Sequence, residues 1–290
     1  MIPPTPGEGF EWREVEGRPV LVCRALDAVA PHLFTTAGWP TGASRPGGDA
    51  GEAWAAVAAA LGVEPAALTR LRQVHGAACA LARAAAGGGA DPLPEADIVL
   101  VGEPGLAGAI QVADCVPILL ADPSRGVVAA AHAGWRGLAA GVPRVAVEGL
   151  HTRFGTRPGD LVAALGPSIG ACCYEVGVEV RARFEAERTR PDALARWFLE
   201  GPAEVSGNPT MPRVREGRRT PDHWFFDGWA AARDQLIAAG LDGARIFSAR
   251  LCTASHPGWF CSYRRDGAPA GRLVAAIRCP ERERGGRDRG

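Results

Sequence analysis

The sequence predicts an α+β fold with mixed sheets in one domain. Short runs rich in Val, Ile and Leu recur along the chain, each bounded by Gly or Pro, as strands are. About four longer stretches instead place apolar residues at helical spacing. Neither an internal repeat nor a linker divides the 290 residues, so strands and helices share one core.

Residues 1–8, rich in Pro, are expected to be disordered. Residues 9–280 then form the domain, and 281–290 a disordered charged tail. Arg18 to Arg24 and His32 to Thr36 read as strands, and Thr41 to Gly51 as a loop. Glu52 to Leu61 is Ala-rich and helical, with Gly62 as its stop. Leu71 to His75 and Cys79 to Arg83 read as consecutive strands, and Ala85 to Pro94 as a flexible loop. Asp97 to Val101 and Gly108 to Val112 are short strands around a Pro-Gly turn. Val116 to Ala121 and Val127 to Ala131 flank the turn DPSRG and make a hairpin. Arg136 to Phe154 reads as one helix despite Pro143, and Asp160 to Leu165 as a strand. Val176, Val180 and Phe184 mark an amphipathic helix. Residues 189–220 show little periodicity and read as an insertion, with a short helix around Leu194 to Leu199. Asp227 caps a helix through Gly240, and Arg245 to Arg250 and Arg272 to Arg278 are the last strands.

Composition narrows the function classes. Net charge is zero and Lys is absent, which gives no bulk attraction to nucleic acid or an anionic membrane. The stretch Met1 to Phe10 lacks the apolar segment of a secretory signal, and no run is long enough to span a bilayer. A cytoplasmic protein is expected, working as a monomer or homodimer. Eight scattered Cys without a CxxC pair argue against a disulfide scaffold.

Chemistry concentrates between Gln111 and Gly137. Cys115 precedes the first hairpin strand and His132 follows the apolar run of the second, so the turn can bring them together. His75 stands forty positions earlier. Two His and one Cys suit zinc, and three ligands without an obvious fourth leave a position open for catalysis. Each residue alone has a plainer reading: a structural His, or a small buried Cys.

The stretches QVHG, ADC-x-P-x-LL, HAGWRG, GPSIGACCYEVG, CT and SYRRDG followed by GR resemble the laccase-domain family. Members of that family have been named multicopper polyphenol oxidases and purine nucleoside phosphorylases. The resemblance implies sheets packed together with helices outside, an α/β/β/α layering. It also implies a zinc held by His75, Cys115 and His132. The family's Thr-Arg and Gly-Gly-x-Ser segment is replaced here by Thr35-Thr36-Ala37-Gly38-Trp39, without the Arg.

By that resemblance the chain would phosphorolyse adenosine, inosine and methylthioadenosine and deaminate adenosine. An ion so bound lowers the pKa of water to about 7, which suits deamination. Asp114 and Glu175 are the candidate acid or base. Asp114 could equally be a turn residue or orient a His, and Glu175 could merely match a helix dipole. Arg136, Arg264 and Arg272 are candidates for a phosphate clamp, Arg136 with help from a helix start. Gln73 joins the substrate-binding set, and Trp135 and Trp259 could border the purine. Four other readings stay open. One is an amide hydrolase editing peptidoglycan precursors at the same site. Another is a metal-free hydrolase with Cys115 as nucleophile and His132 or His75 as base. A third is a non-enzymatic protein with structural zinc, its fourth ligand from Cys172, Cys173, Cys252 or Cys261. The last, copper oxidation, is disfavoured: only Met1 and Met211 could serve as an axial ligand, and six His are too few for a multicopper centre. For Cys172-Cys173 the plain reading is a strand end with one side chain facing inward.

Overall fold

Most apolar runs form strands buried on both faces, because each of two sheets is covered on both sides. The computed structural model describes residues 2–39, 41, 50–83, 92–215 and 220–281. Its first half holds β1 (Phe10–Val15), β2 (Arg18–Cys23), α1 (Arg24–Asp27), β3 (His32–Thr35), α2 (Ala50–Ala60), β4 (Leu68–Thr69) and β5 (Cys79–Leu81). These are followed by β6 (Ile98–Val101), β7 (Ala107–Val112), β8 (Val116–Asp122), β9 (Val127–Ala133), α3 (Trp135–Ala139) and α4 (Val142–Phe154). Then come β10 (Val162–Leu165), β11 (Glu175–Val176), α5 (Val178–Ala186), α6 (Pro191–Trp197), β12 (Phe198–Leu199) and α7 (Pro212–Arg215). The chain ends with β13 (Trp224–Phe226), α8 (Gly228–Ala238), β14 (Ile246–Ser248), α9 (Tyr263–Asp266) and β15 (Leu273–Arg278).

Two six-stranded sheets carry the fold, in the orders β1-β2-β3-β15-β7-β4 and β14-β10-β8-β9-β6-β5. The period-two alternation of strands decides what each residue touches. Leu119 and Ala121 of β8, Val128 and Ala130 of β9, and Ala275 and Ile277 of β15 pack between the sheets. Their neighbours Ile118, Leu120, Ala129 and Ala131 face the other way, onto Val142, Ala146, Leu150 and Leu236 of α4 and α8. On the far side, Val274 and Ala276 meet Val57 and Ala58 of α2. The layers are therefore α/β/β/α, as expected. The hairpin also stands where expected, and Asp122 makes its turn by accepting from Ser124 N (2.8 Å) and Arg125 N (3.1 Å). The capping role of Asp227 holds too: its carboxylate accepts from Ala230 N at 2.9 Å.

Several expectations give way. The stretch read as one helix is two, α3 and α4, separated at Gly141. That glycine takes φ +77°, a left-handed conformation closed to most side chains, and Pro143 restarts the helix in its first turn. Leu71 to His75 is not a strand; only Arg72 makes a bridge, to Glu95. Val176 belongs to β11 and not to the following helix, and the strand read from Asp160 begins at Val162. The segment 189–220 supplies α6, β12 and α7. It also buries Leu194, Trp197, Phe198 and Met211, and the Phe198 ring lies 5.5 Å from Phe184 and 4.9 Å from Phe226. The N-terminal stretch is tied down: Gly7 N donates to Ala249 O (2.7 Å) and Trp12 Nε1 to Pro4 O (2.8 Å). Most of the loops read at 41–51 and 85–94, and the tail beyond Glu281, lie outside the described residues. Among the described residues no helix is long and apolar enough to cross a membrane.

Candidate active site

His75, Cys115 and His132 converge. One donor atom from each lies within 4.8 Å of the others, and the two imidazoles meet edge to face at 4.9 Å. Cys115 comes just before β8, and His132 lies on β9 opposite Pro117, so the hairpin register sets two donors. The third is set by Asp97, which sequence reasoning did not single out. Asp97 is fully buried. Its Oδ1 accepts from His132 Nδ1 (2.8 Å) and His75 N (3.0 Å), and its Oδ2 from Gly76 N (2.7 Å) and Val74 N (3.3 Å). One carboxylate thus fixes the tautomer of one His and the backbone of the other. With the Nδ1 proton of His132 on Asp97, Nε2 is the ring nitrogen left for Cys115 and His75. His75 sits at φ +61°, a strained conformation for a non-glycine residue that the carboxylate holds in place. A Cβ on Gly134 would come 2.8 Å from Cys115 Sγ, so only glycine fits beside the sulfur.

The charges support one another. Burial alone would push the Cys115 thiol up, but His132 and His75 beside it bring it down to about 6. Burial would lower His132; the Cys115 thiolate and Asp97 instead raise it to about 9. Burial of Asp97 is likewise outweighed, by His132 and the Gly76 N–H, and its carboxyl stays below the usual range.

The trio opens onto a cavity of about 720 Å³. Arg136, Arg264 and Arg272 all line it, with Gln73, Asp114, Trp135 and Tyr174, and Ile169 and Phe226 form an apolar part of the wall. Among the described residues no carboxylate pairs with Arg136, which instead covers the Trp135 ring at 4.2 Å. Its helix spans five residues, too short for the expected dipole contribution to be large. Arg264 stacks over Tyr174 at 4.8 Å and donates to Glu175 O at 2.6 Å. Arg272 donates to Ala270 O at 2.7 Å.

Three candidates are engaged differently from what the sequence suggests. The Gln73 amide accepts from Gln111 N (2.7 Å) and donates to Gln111 O (2.8 Å); its side chain extends the edge of β7 while lining the cavity. The carboxylate of Glu175 meets His223 at 3.2 Å and lies off the cavity, while its neighbour Tyr174 faces it. Asp114, at φ +86°, accepts from Thr253 Oγ1 (2.6 Å) and Arg264 N (2.6 Å). Burial, only partly offset by these donors, holds its carboxyl above the usual range. It anchors the SYRR segment and does not orient a His. Trp259 packs on Trp12 at 5.0 Å, away from the cavity.

The fold is thus a layered α/β/β/α one, and its His-Cys-His group at the mouth of a sheet hairpin could hold a metal ion. The family model described as multi-copper polyphenol oxidoreductase laccase matches residues 49–280, and the chain belongs to that family. It is similar to a purine nucleoside phosphorylase of Deinococcus radiodurans, 36% identical over 92% of this chain and 95% of that one. The purine nucleoside phosphorylase YlmD of Geobacillus stearothermophilus is 35% identical over 71% of this chain and 69% of its own. The crystal structure of YlmD from the same organism superposes with a TM-score of 0.77 at 28% identity, covering 96% and 100% of the two chains. That of Bacillus licheniformis YfiH gives 0.76 at 25%, covering 92% and 98%.

Proposed function

We propose that this chain is a zinc-dependent enzyme of purine nucleosides that phosphorolyses adenosine, inosine and methylthioadenosine and deaminates adenosine. The observation that carries the reading is the convergence of His75, Cys115 and His132 at a cavity that also gathers three Arg. The donor set fits zinc: a thiol near 6, a His with its other nitrogen fixed, and no fourth His, Cys or carboxylate joining them among the described residues. Zinc, when bound, would supply a Lewis acid and a source of activated water. In phosphorolysis, a phosphate oxygen bonds the ribose anomeric carbon as the bond to the purine breaks. Arg136 and Arg264 supply the guanidinium donors that hold and orient the phosphate. The Tyr174 phenol, pushed up chiefly by burial, stays protonated and offers a hydrogen-bond donor to the departing base. Ile169 and Phe226 give the flat ring an apolar wall.

Copper oxidation draws no support from the remaining His. His32 bonds Cys23 N and Ala30 O, His151 bonds Thr156 O, His223 meets Glu175, and His256 meets Asn208. No second His cluster forms among the described residues. A metal-free Cys hydrolase has one observation in its favour, the Cys115–His132–Asp97 chain. In that reading His75 would share with His132 the lowering of the thiol.

Cys115→Ala is expected to abolish zinc content and nucleoside turnover together. Full zinc and activity in that variant would refute the site. Loss of turnover on alkylation with indifference to chelators would favour the Cys hydrolase. Cleavage of UDP-linked muropeptides in place of nucleosides would move the substrate to the peptidoglycan-editing class.

A further inference from the structure

A second group of three donors lies away from the cavity. Cys172, Cys173 and Cys252 are all fully buried, and their sulfurs lie within 4.8 Å of one another. Neighbouring residues of a strand point to opposite sides, so Cys172-Cys173 was expected to send one side chain inward. The chain turns at 171–173 instead, and both sulfurs face Ser255 Oγ, at 3.7 and 3.6 Å. Backbone donors are aimed at the other sides of the group. Gly170 N donates to Cys252 Sγ (3.3 Å) and Met211 N to Cys173 Sγ (3.4 Å). Packing alone does not require three thiols to converge with N–H groups directed at them. Thiolates around an ion are held that way.

We propose that Cys172, Cys173 and Cys252 form a closed binding site for one thiophilic monovalent ion, Cu(I) in preference to Zn(II). Geometry and count support this. Three sulfurs bonded at about 2.3 Å to one ion stand roughly 4 Å apart, a small adjustment from the spacing here. Structural zinc takes four ligands, and no fourth His, Cys or carboxylate joins this trio among the described residues. The nearby His256 is turned to Asn208 Oδ1 at 3.2 Å. Soft thiolates without a hard ligand select Cu(I). A way in exists: Ser255, which touches two of the sulfurs, and Met211 line a cleft of about 540 Å³. Binding exchanges thiol protons for the ion, with no change of oxidation state.

The test uses the full chain in the Cys115→Ala background, which removes the first site, under strict anaerobiosis with Cu(I) alone. One ion per chain is expected, with three sulfurs in its X-ray absorption shell. This needs no change to the trio, so misfolding of a trio variant cannot confuse it. Adding Cys173→Ser or, separately, Cys252→Ser is expected to weaken Cu(I) binding by more than about 100-fold, since outer partners alone are worth 10–100-fold. Circular dichroism shows whether each variant is folded. No bound Cu(I), a shell containing nitrogen or oxygen, tighter binding of Zn(II), or a disulfide within the trio in place of the ion would each overturn the proposal.

Discussion

At Asp97 one buried carboxylate accepts four hydrogen bonds, from His132 and from the backbone of Val74, His75 and Gly76. Asp97→Asn keeps the shape but replaces one acceptor oxygen by a donor and removes the charge beside His132. Metal affinity, measured by competition with a chelator, is expected to fall about 10–100-fold; an unchanged value would show that the His pair is held by other contacts. Asp114 calls for a different experiment. Asn tolerates positive φ and can serve both partners, accepting from Arg264 N and donating to Thr253 Oγ1. Asp114→Asn is therefore expected to retain turnover within about tenfold; a collapse of kcat in a variant of unchanged Tm would make the carboxyl a proton carrier. These two aspartates show what one sequence conceals. Both precede apolar strands, and nothing in ADIVL or ADC says which carboxylate holds the His residues and which holds a distant loop. The donors His75, Cys115 and His132 were legible because their residue types are chemically specific. The pairing of Gln73 with Gln111 was not, because an amide that copies a strand edge looks the same in sequence as one that reaches a ligand.

Among the elements, β3 carries a pH-sensitive contact far from the cavity. His32 is buried, accepts from Cys23 N (2.9 Å) and donates to Ala30 O (3.0 Å), and burial lowers it from 6.5 to about 4. Above 6.5 it is neutral folded or unfolded, and its contribution is complete. Between 6.5 and about 4 the unfolded chain takes up a proton that the folded chain refuses, so stability falls as pH falls, by up to about 3 kcal/mol. Below that window the loss levels off. Urea unfolding at stepped pH should show this loss in the native chain and a shallower one in His32→Gln. An imidazole signal titrating near its ordinary value would remove the basis for the effect. The hairpin β8–β9 was plain in sequence, since two β-branched runs flank an Asp-Pro turn. The break between α3 and α4 was not, because a glycine in a helical pattern signals a left-handed turn only when tertiary packing asks for one.

For the molecule as a whole, the stretch 189–220 matters most, since sequence reading set it aside. Its lack of periodicity reflects short elements, α6 and β12, which give Trp197 and Phe198 to an aromatic cluster shared with Phe184 and Phe226. Phe198→Ala is expected to cost about 3–5 kcal/mol by chemical denaturation; a loss below about 1 kcal/mol would mean the segment is peripheral to the core. The layer order came from the family resemblance; the unbroken apolar runs of β8 and β9 say by themselves only that those strands are covered on both faces. The three donors also differ in how they are moored. Cys115 and His132 adjoin or occupy central strands that part only when the sheet itself comes undone. His75 rides an exposed bend held by Asp97 and, two residues earlier, by the Gln73–Gln111 pair. Of the three only His75 is exposed, so solvent and ions meet the group from its side.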